Sequence, residues 1–181
     1  MLRHVTATAF PFSSPCDILR PMTPKLQPEN IISQINSSKT FFENSTRALE
    51  EADSNFRPGE GTFTAAQQVA HTAQTIEWFI DGIRRPEGFD LDFEKHAQAT
   101  NAVTSLTAAR AWLDKAYANA IEFLKTQSAD DLARTLPPGP IMGGQPVSDV
   151  FWGLVDHTAH HRGALTVYAR LLGKVPPMPY M

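Results

Sequence analysis

Four long stretches with apolar residues at three- and four-residue spacing, separated by segments rich in proline and glycine, occupy the chain after Pro28. Such a pattern folds into helices, and no segment carries a convincing sheet signal. The first helix is predicted from Glu29 to Glu51, with Ile31, Ile35, Phe41 or Phe42, Thr46 and Leu49 along its seam. The second opens near Thr64, where Thr64 and Gln67 have the spacing of a capping box, and stops at Pro86. Its inward residues are Val69, Ala73, Ile76, Ile80 and Ile83, while Glu77 and Asp81 mark the solvent face.

After a loop, PEGFDLDFEKHAQ, the third helix is predicted over Thr100 to Gln127, with Leu106, Ala109, Leu113, Ala116, Ala120, Phe123 and Leu124 inward. Ser128 and Asp131 cap one short helical turn, and LPPGPIMGGQPV forms a turn-rich crossing segment. The fourth helix opens at Ser148, with Val147 placed to staple against Trp152. Gly173 ends it, and Pro176, Pro177 and Pro179 prevent its continuation.

These elements predict an all-α four-helix bundle with one long crossover connection, formed by residues 28–181. At 181 residues the chain suits one domain with a real core. Residues 1–27 read as an irregular, proline-rich arm, since Pro11, Pro15, Pro21 and Pro24 interrupt any apolar run a secretory signal would need. Met22 is a second candidate start. The single cysteine, Cys16, excludes an intramolecular disulfide and agrees with a reducing, cytoplasmic setting. A net charge of -3 with no basic stripe argues against nucleic acid as a partner, and no run approaches the ~20 apolar residues of a membrane span.

The fourth helix contains DHTAHHRGALTVYARLLG, from Asp156 to Gly173. Residues four apart on a helix differ by about 40° in direction, so His157 and His161 project from one face, one turn apart. The same wheel places Val150, Leu154, Leu165, Tyr168 and Leu172 near that direction, so both imidazoles interrupt the core stripe. Buried imidazoles need hydrogen bonds or a shared cation, and a catalytic ion needs about three protein ligands. His71 is the remaining histidine that sits mid-helix in apolar surroundings. His4 falls in the arm, His96 in a charged loop or helix start, and His160 points away from the pair.

The segments VAHTAQTIEWF and DHTAHHRGALTVYARLLGKVPP resemble the DinB family, also called DinB/YfiT-like, over most of the chain from about Pro28 onward. The resemblance implies a four-helix bundle, often a homodimer, that binds one divalent ion through His71, His157 and His161. It implies relatedness to enzymes that act with low-molecular-weight thiols. Ala164 stands where the family commonly carries glutamine, which alters a contact near the site and leaves the three histidines in place.

Imidazole ligands suit zinc, nickel, iron and copper alike, with zinc or nickel expected first and iron after them. Such a site would serve a metal-dependent enzyme that activates water or a small thiol, for thiol transfer or hydrolysis of a small molecule. Trp78, Trp152 and Tyr168 are expected around the substrate, with Arg162 available to an anionic group. The alternative is a non-catalytic, dimeric stress-response bundle in which the ion only staples helices, and a fourth protein ligand would mark it.

Overall fold

The computed structural model describes residues 26–181; the arm expected over residues 1–27, with Cys16 and His4, lies almost wholly outside them. The described chain is helical as predicted, and α1 begins at Pro28, a proline in the first turn where its missing N–H costs nothing. Among the described residues the four long helices and the short turn after Ser128 form, and one helix is added: α1 (Pro28–Thr46), α2 (Ala65–Arg84), α3 (Phe93–Asn101, the addition), α4 (Leu106–Lys125), α5 (Ala129–Ala133) and α6 (Val147–Leu171). The four long ones, α1, α2, α4 and α6, share the core.

Around the bundle each long helix is flanked by two others: α2 packs on α4 and α6, and α1 packs on the same two. Consecutive α1 and α2 are therefore diagonal, as are α4 and α6. Two connections, residues 47–64 and 126–146, cross the bundle where one long crossover was expected. The predicted seams of the second and third helices are buried, except that Phe123 is partly exposed. On α1, Phe42 enters the core, while Phe41 packs edge-on against Tyr180 at 4.8 Å.

Local hydrogen bonding explains where the element boundaries differ from the prediction. The first helix ends at Thr46, not Glu51, because Glu50 and Asp53 cap a separate 3₁₀ turn over Glu51–Asp53, with Glu50 N–H donating to Asp53 Oδ2 at 2.7 Å. The third predicted helix divides. Asp92 caps α3 by accepting from Lys95 N–H at 3.0 Å, and Ser105 caps α4 by accepting from Ala108 N–H at 3.1 Å. The supposed loop therefore contains a helix, and His96 lies on it.

The fourth long helix begins at Val147, one residue before the predicted start, and Val147 is fully buried whereas Trp152 is 44% exposed. The Thr64–Gln67 and Ser128–Asp131 capping boxes form as predicted. At the other end of α6, Gly173 has φ +73°. Its N–H bonds Arg170 C=O, and Lys174 N–H bonds Ala169 C=O, the paired bonds of a glycine C-cap.

Candidate metal centre

The packing of α2 on α6 brings His71 against His157 and His161. Ring centroids lie 5.2 Å apart for His71 and His157, 4.9 Å for His71 and His161, and 4.4 Å for His157 and His161. One nitrogen from each ring falls within 4.8 Å of the other two, so the three could hold a metal ion. His161 is buried, and His71 and His157 are partly so.

Burial lowers the pKa of all three rings, and neighbouring histidines lower it further. His161 is brought down to about 3, chiefly by desolvation and then by His157 and His71. His157 falls to about 4, chiefly by desolvation and then by His71 and His160, and His71 is lowered by burial with help from His160. At neutral pH all three are uncharged, the form in which imidazole donates a lone pair to a metal.

The hydrogen bonds behind His161 fix which nitrogen is free. Tyr168 O–H donates to Phe63 C=O at 2.9 Å, so its oxygen must accept from Gln68 Nε2 at 3.1 Å. Gln68 Oε1 then faces His161 Nδ1, which must carry the proton. That leaves His161 Nε2 as an acceptor, 3.1 Å from His157 Nε2. Two imidazole nitrogens bound to one ion at 2.0–2.1 Å, with an angle between square and tetrahedral, lie about 2.8–3.4 Å apart. The donor set therefore fits a divalent transition ion, and the Gln68 carbonyl stands behind His161 as the partner that a metal-binding histidine needs. Without an ion, the same separation suits a hydrogen bond from His157 Nε2–H to His161 Nε2.

A cavity of about 290 Å³ opens beside the imidazoles and reaches His71 and His157. Of the residues expected around the substrate, Trp78 lines it. Tyr168 instead sits behind His161 in the hydrogen-bonded chain, and exposed Trp152 takes no part in the wall. Arg162 lies over the Phe41 ring at 5.7 Å, beside the C-terminal prolines and outside this cavity. His160 is exposed and lies outside the three-histidine group, its ring edge-on to His161 at 4.9 Å.

Sequence reasoning missed Gln68, Phe63 and the wall formed by α3. A signal existed for two of them. Gln68, His71, Thr72 and Thr75 form a polar stripe at i, i+3, i+4 and i+7 on an otherwise apolar helix, and Phe93, His96 and Ala97 repeat i, i+3, i+4 after an Asp cap. Phe63 precedes α2 in a loop, where no periodicity identifies it.

The chain matches the family model of the DinB superfamily over residues 41–165, from within α1 to within α6. Its fold is similar to the crystal structure of a DinB-like protein from Bacillus cereus, with a TM-score of 0.67 and 20% identity, covering 82% of this chain and 95% of that one. No curated protein matches it. With a family match over well over half its length and the fold to accompany it, this chain belongs to the DinB superfamily.

Proposed function

We propose that this protein is a metal-dependent enzyme in which His71, His157 and His161 hold one divalent ion, zinc or nickel ahead of iron, and that it acts on a small molecule by thiol transfer or hydrolysis. The carrying observation is the convergence of three uncharged imidazoles at the edge of a cavity large enough for a small organic ligand. A divalent ion held by three neutral ligands acts as a Lewis acid and eases deprotonation of water or a thiol near neutral pH. The protein's own part is positional. Gln68 holds His161 in the donor tautomer, and the aromatic wall limits the access of bulk water.

Three candidate donors, rather than four, lie together among the described residues, which favours this reading over an ion that only staples α2 to α6. The reading includes a homodimer, supported by the exposed apolar side chains of Val167 and Leu171, one turn apart on α6. It also includes a cytoplasmic setting, supported by the single cysteine; no described helix is long and apolar enough to cross a membrane.

Elemental analysis of purified protein tests the metal. About one equivalent per chain is expected, lost when His157 and His161 are both replaced by alanine. Metal-free protein that takes up no zinc or nickel on titration would sink the proposal. Turnover is read separately, by screening the loaded protein with small thiols and with ester and amide substrates.

A further inference from the structure

The cavity beside the histidines is walled by rings. Phe63, Trp78, Phe79 and Phe93 make the apolar wall, and Gln74, Thr75 and His96 are its polar members besides His71 and His157. Among the described residues, no lysine, arginine, aspartate or glutamate lines it. In the metal-free protein a charged group placed against this wall would lose its hydration and meet no opposite charge from the lining, whereas an aromatic or alkyl group gains by leaving water.

Trp78 sharpens the preference. Its Nε1–H donates to Asp90 C=O at 2.7 Å, in the connection between α2 and α3, so the indole has no donor left for a ligand. The ring is braced by Phe89 at 4.6 Å and lies 6.2 Å from Phe93. Phe93 itself is 55% exposed, a large ring in the outer wall that a ligand would cover. With His96 and Ala97 it forms the α3 side of the cavity, spaced i, i+3 and i+4 on one helix face. The volume, about 290 Å³, is roughly twice that of an apolar cavity of about 150 Å³ that accepts benzene, so a group of about two rings fits.

We propose that this cavity binds the uncharged aromatic or alkyl-aryl portion of the substrate, about two rings in size, with the reacting substituent directed toward His71 and His157. The direction of that substituent rests on the metal reading given above; binding of the ring does not. Phe93 and Ala97 on α3 then determine which substrates enter, because they lie at the exposed edge of the wall.

Calorimetric titration of the full chain, metal-free and zinc-loaded, with neutral β-naphthol and with β-naphthalenesulfonate tests this. The neutral probe should bind both forms, and the sulfonate should bind the metal-free form at least tenfold more weakly than β-naphthol does. Phe93→Ala should weaken β-naphthol about three- to tenfold, the loss of one aromatic contact. Ala97→Trp, at an exposed position that tolerates bulk, should weaken it about tenfold or more by filling the rim. Failure of β-naphthol to bind either form, equal or tighter binding of the sulfonate to the metal-free form, or unchanged β-naphthol binding in folded Ala97→Trp overturns the inference. Zinc content measured on the same samples separates the two claims: β-naphthol binding without zinc uptake defeats the metal reading alone, and zinc uptake without β-naphthol binding defeats the cavity assignment alone.

Discussion

Gln68 Oε1 on α2 lies 2.5 Å from His161 Nδ1 on α6, joining the helix that carries His71 to the helix that carries the other two imidazoles. This contact selects the His161 tautomer, and Tyr168 in turn selects the orientation of the Gln68 amide. Gln68→Leu should weaken zinc or nickel binding about 10- to 100-fold, the usual consequence of removing the group behind a metal-bound histidine. Tyr168→Phe should weaken it less, because Gln68 can still accept from Nδ1–H. Chelator-competition titrations measure both, and wild-type affinity in Gln68→Leu would refute the assigned role.

His160 separates geometry from mere abundance of histidine. It adjoins His161 in sequence but is exposed and contributes no nitrogen to the cluster. His160→Ala should therefore retain about one equivalent of metal, while His71→Ala, His157→Ala or His161→Ala should each lose most of it. Metal analysis after dialysis against buffer checks the series. A protein that loses its metal with His160→Ala would require a different ligand set.

The depressed histidine pKa values predict how the metal-free protein responds to acid. His157 and His161 titrate at about 4 and about 3 in the folded chain, against an ordinary value of 6.5. Between those limits the unfolded chain binds more protons than the folded one, so stability increases with pH. The contribution is fully present above pH 6.5 and is lost as pH falls toward 4 and then 3. The slope approaches about 1.4 kcal/mol per pH unit for His161 and less for the more exposed His157. Urea unfolding from pH 7 to pH 4 should show a flatter profile in His157→Ala/His161→Ala than in metal-free wild type. Identical profiles would contradict the pKa assignments.

What the sequence revealed, and what it concealed, depends on the range of the interactions involved. The His157–His161 pair and the glycine cap at Gly173 are set by residues within one or two helical turns, and periodicity exposes them. His71 could be proposed as the third member because it lies mid-helix among apolar neighbours. The position of Tyr168 could not be inferred in this way. It sits on the inward stripe, as the wheel predicts, but whether it faced a cavity or a hydrogen-bond partner depended on Gln68 a hundred residues away. The α2–α3 wall was hidden for a different reason: its charged and polar outer residues made FEKHAQ look like a loop, although Asp92 ahead of it was a legible cap.

Two glycines should respond to the same substitution with opposite signs. Gly82 on α2 has the Phe89 ring directly where a Cβ would stand, and Phe89 in turn braces Trp78 at 4.6 Å. Gly82→Ala forces that ring away from a packed cluster, an overpacking cost of about 1–3 kcal/mol. It should lower Tm by about 2–4 °C for each kcal/mol and move the Trp78 environment toward water. Gly163 on α6 is exposed and has nothing within 4 Å of the added carbon, so alanine there only removes backbone freedom from the unfolded chain. Gly163→Ala should stabilise by about 0.5–1 kcal/mol. Thermal unfolding followed by circular dichroism and tryptophan emission compares the two directly. A rise in Tm for Gly82→Ala would mean that Phe89 gives way freely, and that Trp78 does not depend on it for its position.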